Sequence, residues 1–132
     1  MPAALDIAIR VGVGVFAGLF VFAATVQFND VDPWAWVVAY GAAALLCAVS
    51  AAGVRLPVWL PAGVAVVALA WSGYLAWVVF VVGDAQAMYP DETANPGLLD
   101  LEEAREMFGL LLVAVAASMA AVRARTAQPP TA

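Results

Sequence analysis

Histidine and lysine are absent from this 132-residue chain, and a single cysteine, Cys47, is present. Without imidazole, zinc and haem sites that rely on histidine are excluded. With one thiol, an intrachain disulfide is excluded too, and Cys47, set in an apolar run, reads as a small buried residue. Basic charge is scarce: five arginines stand against ten acids, giving a formal net charge of −5. That balance cannot neutralise a row of phosphates, so no nucleic-acid partner is expected. Charged residues make up only 11% of the chain and hydrophobic ones 66%, against roughly 45–50% apolar content in a soluble domain. So few polar side chains cannot cover a water-soluble globule, and the implied solvent is the lipid bilayer.

A membrane-spanning helix takes about 20 residues at about 1.5 Å rise each, so the chain accommodates four spans with short connections. Four apolar runs are present, at about 5–28, 34–53, 58–82 and 101–123. They predict an all-α, polytopic membrane protein: an antiparallel four-transmembrane-helix bundle forming one domain over residues 1–125. The first run is interrupted only by Asp6 and Arg10, whose i, i+4 spacing predicts a pair on one helix face. The nine residues before Arg10 carry no basic side chain and the run exceeds the usual 7–15 apolar residues of a leader, so it reads as a span. The short Val54–Pro57 turn predicts that the second and third runs are neighbours. Residues 83–99, with Pro90, Asn95, Pro96 and Gly97, predict an acidic exposed loop. Asp100 and Glu103 have capping-box spacing at the start of the fourth run, and residues 126–132 read as a disordered cytoplasmic tail.

Four spans place both termini on the side of the 54–57 turn, where Arg10, Arg55, Arg123 and Arg125 face Asp6 alone. The other side holds the remaining nine acids against Arg105. The positive-inside bias therefore predicts cytoplasmic termini in the cell membrane and an acidic outer side. Trp34 and Trp36 on the outer side and Trp59 on the inner read as an aromatic belt. The run from Gly12 to Gly18, inside a span and with no strand before it, reads not as a nucleotide loop but as helix packing through a Gly14–Gly18 small-xxx-small face, and Gly109, Ala116, Ala117, Ala120 and Ala121 also permit close helix contact. Trp71, Tyr74 and Trp77 read as a stripe filling a helix interface in the outer half, with Tyr40 at similar depth. Met107 and Met119 read as packing residues.

The suggestive chemistry is concentrated on the predicted outer side, in Gln27 to Trp34 and Glu102 to Gly109. From Met107 to Val122 a helix covers about 24 Å, short of a bilayer core of about 30 Å, so a further turn carrying Glu103 and Glu106 is drawn towards apolar depth. Acids there share a helix face and repel. Two arrangements relieve them: Arg105 as a structural ion pair, or a bound cation held by Asn29, Asp30, Asp32, Glu103 and Glu106. All-oxygen ligands suit Ca2+ or Mg2+, and also manganese, better than zinc or copper. A purely structural reading competes, since Asp30 and Asp32 can cap the second helix, Pro33 suits its first turn, and acids favour the start of the fourth. No nucleophile or cofactor motif accompanies the carboxylates, so no enzyme is expected.

The segment Gln27-Phe28-Asn29-Asp30-Val31-Asp32-Pro33 with Trp34 and Trp36, together with Glu102-Glu103-Ala104-Arg105-Glu106-Met107-Phe108-Gly109-Leu110, resembles the transmembrane protein 220 family. The family pattern usually reads Asn-Asp-Pro-Asp, so Val31 departs from it. The resemblance implies four membrane helices and marks the outer polar cluster as the distinctive feature, but brings no substrate or cofactor. Three functions follow from the residues: a cation- or polar-ligand-binding membrane protein; an accessory subunit packing on a membrane-protein partner or a second copy; and, with few polar residues at depth, least of all a transporter.

Overall fold

In the computed structural model the described residues are 1–29, 33–82 and 102–126. Among them are four long helices and no strand: α1 (Ala3–Val26), closed by a 3-10 turn at Gln27–Asn29; α2 (Pro33–Ala51); α3 (Trp59–Trp77), widening into a π turn at Val78–Val82; and α4 (Glu102–Thr126). All four are long and apolar enough to cross a membrane, with mean hydropathy of 1.7 to 2.2 over their most apolar windows. The expected multi-pass all-α bundle is therefore present. Asp100, the loop at 83–99 and residues 127–132 lie outside the described residues; Thr126, assigned to a tail from sequence, closes α4.

The outside is apolar. Phe22, Trp34, Val38, Leu45, Trp59, Val66 and Val67 are each more than 60% exposed, as expected of a surface that faces acyl chains. Small residues line the inside instead. Half of the spanning window of α4 is buried against 17% of that of α1, which makes α4 the central helix. Its Ala104, Ala114, Ala116, Ala117, Ala120 and Ala124 are buried, so the alanine face singled out in the sequence is used within the bundle. Small side chains let helix axes approach closely, which in lipid replaces the hydrophobic drive that water would supply.

The helices associate chiefly as two pairs, α1 on α2 and α3 on α4, with α4 also touching α1 and α2. The expected close pairing of α2 with α3 is only partly realised. Between them lies an apolar groove of about 470 Å³, lined by Ala39, Ala42 and Ala43 of α2, Gly63, Val64 and Val67 of α3, and Leu110 and Val113 of α4. The turn between them is short, but it fixes only one end of each helix.

The aromatic expectations divide by helix geometry. Trp34 and Trp59 are exposed, as belt residues should be, but Trp36 is buried. Two positions along a helix turn through about 200°, so Trp34 and Trp36 cannot share a face. Trp36 stacks on Trp71 across the α2–α3 interface with ring centroids 5.0 Å apart. Tyr74 and Trp77 do not continue that contact; they are 60% and 54% exposed. A three-residue step falls about 60° short of a full turn, so a stripe repeated every three residues winds off the interface within two steps.

Candidate functional site

Two polar centres mark the ends of the bundle. At the end that carries both termini, Arg123 of α4 is buried, and its Nε donates to Asp6 Oδ1 of α1 at 3.0 Å. Its Nη1 donates to the Val54 carbonyl at 3.3 Å, so one guanidinium ties α1 and α4 to the α2–α3 turn. Arg10 does not pair with Asp6, contrary to the sequence expectation. It reaches across to α2, where its Nε donates to the Ala51 carbonyl at 2.9 Å, a cationic cap on a helix C-terminus. Spacing along α1 allowed the Asp6–Arg10 pair, but each residue meets a partner on another helix instead. Gly53, at φ +90°, completes this end: its amide donates to the Ser50 carbonyl and that of Val54 to the Val49 carbonyl, a Schellman motif that stops α2.

The opposite end is where the sequence placed its candidate ligands. Asp30 and Asp32 lie outside the described residues, as do the side chains of Asn29 and Glu103. Asn29 ends the 3-10 turn after α1, Glu103 stands in the first turn of α4, and Pro33 opens α2 as expected of a first-turn proline. Arg105 is exposed, and the ion pair expected of it is not among those made by the described residues. Glu106, by contrast, is half-buried and falls inside the fourth candidate span, Ala104–Thr126. Among the described residues no three carboxylates or thiols converge on one point.

What surrounds Glu106 was not foreseen. Its carboxylate lies within electrostatic reach of the Tyr40 hydroxyl, on buried Tyr40 of α2. One turn further along α4, Gly109 receives the Tyr40 ring: a methyl group there would collide with Oη and stand 3.0 Å from Cζ. Tyr40 is also ringed by Phe20 of α1 and Trp36 of α2, with centroids 6.1 Å and 6.0 Å away. Across the same helix, buried Ser72 of α3 donates to the Met107 carbonyl at 3.1 Å. α4 thus carries a glycine notch for a tyrosine from α2 and a carbonyl for a serine from α3, flanking one acid inside a candidate span. The signal available in sequence was the i, i+3 spacing of Glu106 and Gly109, which puts an acid and a notch on one face.

The glycines of α1 are also used internally: Met119 Cε stands 2.7 Å from where a Gly12 side chain would begin, and Ala51 Cβ 3.6 Å from that of Gly14. Gly18 has no neighbour within 4 Å. Of the two glycines of the expected packing face, Gly14 therefore meets a neighbour inside the chain and Gly18 does not, while the tightest approach falls at Gly12.

A family model described as "Transmembrane family 220, helix" matches residues 19–122, most of the chain and both polar segments. No curated protein and no solved structure matches it.

Proposed function

Since the chain belongs to transmembrane family 220, a family of membrane proteins, we propose that it is a non-enzymatic membrane protein that binds a divalent cation, Ca2+ or Mg2+, at its loop end. The ligands in this reading are Asn29, Asp30, Asp32, Glu103 and Glu106, with Arg105 as a structural counter-charge. One observation carries it: Glu106 is a half-buried acid inside a candidate span of the central helix, beside a buried tyrosine. Ionisable groups at that depth are costly and are characteristically retained for function. The bound ion would fasten the loop ends of α1, α2 and α4.

The test is thermal unfolding of the detergent-purified protein with calcium, magnesium, manganese or chelator, beside Glu106→Gln. An ion at 100 times its dissociation constant that binds only the folded state stabilises by about 2.7 kcal/mol. The expected result is a cation-specific rise in Tm that the variant loses. Equal Tm values in every ion and in chelator overturn the reading.

The arginine excess at the terminal end supports a cell-membrane orientation with cytoplasmic termini. Cys47 is buried, which leaves a low background for cysteines placed at Ala94 or Ala127. A membrane-impermeant thiol reagent applied to intact cells should label Ala94→Cys and spare Ala127→Cys; the reverse pattern inverts the orientation.

A second reading, an accessory subunit that packs on another membrane protein or a second copy, is favoured by the α2–α3 groove, whose walls include Ala39, Ala42 and Gly63. Gentle solubilisation should then recover a defined complex, and a monomer alone counts against it.

A further inference from the structure

The polar centre at the end that carries both termini leaves a cation with donors to spare. Arg10 Nε is committed to the Ala51 carbonyl. Its terminal nitrogens lie over Gly53, 3.4 and 3.8 Å from where a side chain there would begin, and the described residues offer them no acceptor. The nearest acid along α1, Asp6, is occupied by Arg123. Beside the guanidinium is a notch of about 220 Å³ lined by Ile7, Arg10, Val11 and Ala51. Ile7 and Val11 are 60% and 62% exposed on the outer surface of α1, where acyl chains run, and Arg55 is exposed in the adjoining turn.

We propose that this notch binds the phosphate of an anionic phospholipid, with the Arg10 guanidinium as principal donor and Arg55 as a second cation. A planar guanidinium held at one nitrogen presents its others as a fork, which matches two phosphate oxygens. Arg10 stands seven residues beyond Ala3, the first residue of α1, or about 10 Å along the axis, from where a long side chain can snorkel to the headgroups. The C-terminal dipole of α2 opposes an anion here, but the Schellman bonds and Arg10 Nε already engage its last carbonyls. The flanking Ile7 and Val11 select a lipid over a soluble phosphate, because they offer acyl chains a surface that a free anion cannot use.

The experiment is native mass spectrometry of the whole protein released from a neutral detergent, titrated with phosphatidylglycerol, phosphatidylcholine or inorganic phosphate. The expected result is one phosphatidylglycerol adduct retained at a concentration about tenfold below that needed for phosphatidylcholine, a margin fitting a charge-assisted bidentate contact. That preference should vanish in Arg10→Gln and weaken in Arg55→Gln. Arg10→Lys, which keeps the charge and one donor for Ala51, serves if Arg10→Gln does not fold, and it too should lose most of the preference while remaining as stable as the parent in phosphatidylcholine. Equal retention of the two lipids, or an undiminished preference in Arg10→Lys, overturns the proposal. Competition by millimolar inorganic phosphate overturns the lipid assignment.

Discussion

At the residue scale the bundle rests on a few close fits that sequence composition does not display. The notch at Gly109 is one, because the Tyr40 hydroxyl occupies the space a side chain would need. Gly109→Ala should therefore destabilise the fold by about 1–3 kcal/mol, the usual range for overpacking. Tyr40→Phe removes the colliding oxygen, so in chemical unfolding the double variant should lose less than the sum of the single losses; strict additivity would show that the two residues do not meet. The Asp6–Arg123 pair is another. Arg123 is buried, whereas the Asp6 side chain is one-third exposed. Removing the acid strands a buried cation, so Asp6→Asn should cost about 1–3 kcal/mol, below the usual range for a fully buried pair because water reaches the carboxylate. Arg123→Met in that background should cost little more. The sequence made Asp6 visible as a charge inside an apolar run but pointed to Arg10, since local spacing is readable and a partner 117 positions away is not.

Among the elements, existence was legible and direction of facing was not. Four apolar runs of spanning length can form only helices in lipid, where unpaired backbone groups are too costly, and all four are found near their expected bounds. Their faces were obscure for the same reason: lipid-exposed and buried positions are both apolar, so no polar stripe marks the outside. Trp36 and Tyr74 show the consequence, each being assigned from sequence to the side opposite the one it takes. The end of α2 was likewise not legible: the expected run extends through Gly53, whereas the helix ends at Ala51 and Gly53 forms its stop. The Gly53 φ of +90° disfavours a side chain, while the Arg10 guanidinium would meet an added methyl group only at ordinary contact distance. Gly53→Ala should lower stability by about 1 kcal/mol, the usual cost of placing a side chain in that region. A Tm equal to the parent's would mean the turn tolerates another conformation.

For the molecule as a whole, two helix pairs are joined by one short turn and by the contacts of α4. If that connectivity is right, the α1–α2 half and the α3–α4 half, expressed as separate chains cut between Arg55 and Leu56, should assemble in the membrane and copurify. Halves that never associate would show that the covalent turn, rather than the α4 interface, holds them together. The candidate loop-end site was half legible at this scale. Helix length drew Glu103 and Glu106 towards apolar depth, but could not reveal that the central helix brings Glu106 within electrostatic reach of Tyr40. The central position of α4 also bears on the order of assembly. During synthesis α1, α2 and α3 enter the bilayer before the helix that all of them touch, so until it arrives only the α1–α2 contact is complete and α3 has no principal partner. Helix insertion and bundle formation are thus separated in time, and a nascent chain halted before residue 102 would hold three spans that cannot yet close around a common centre.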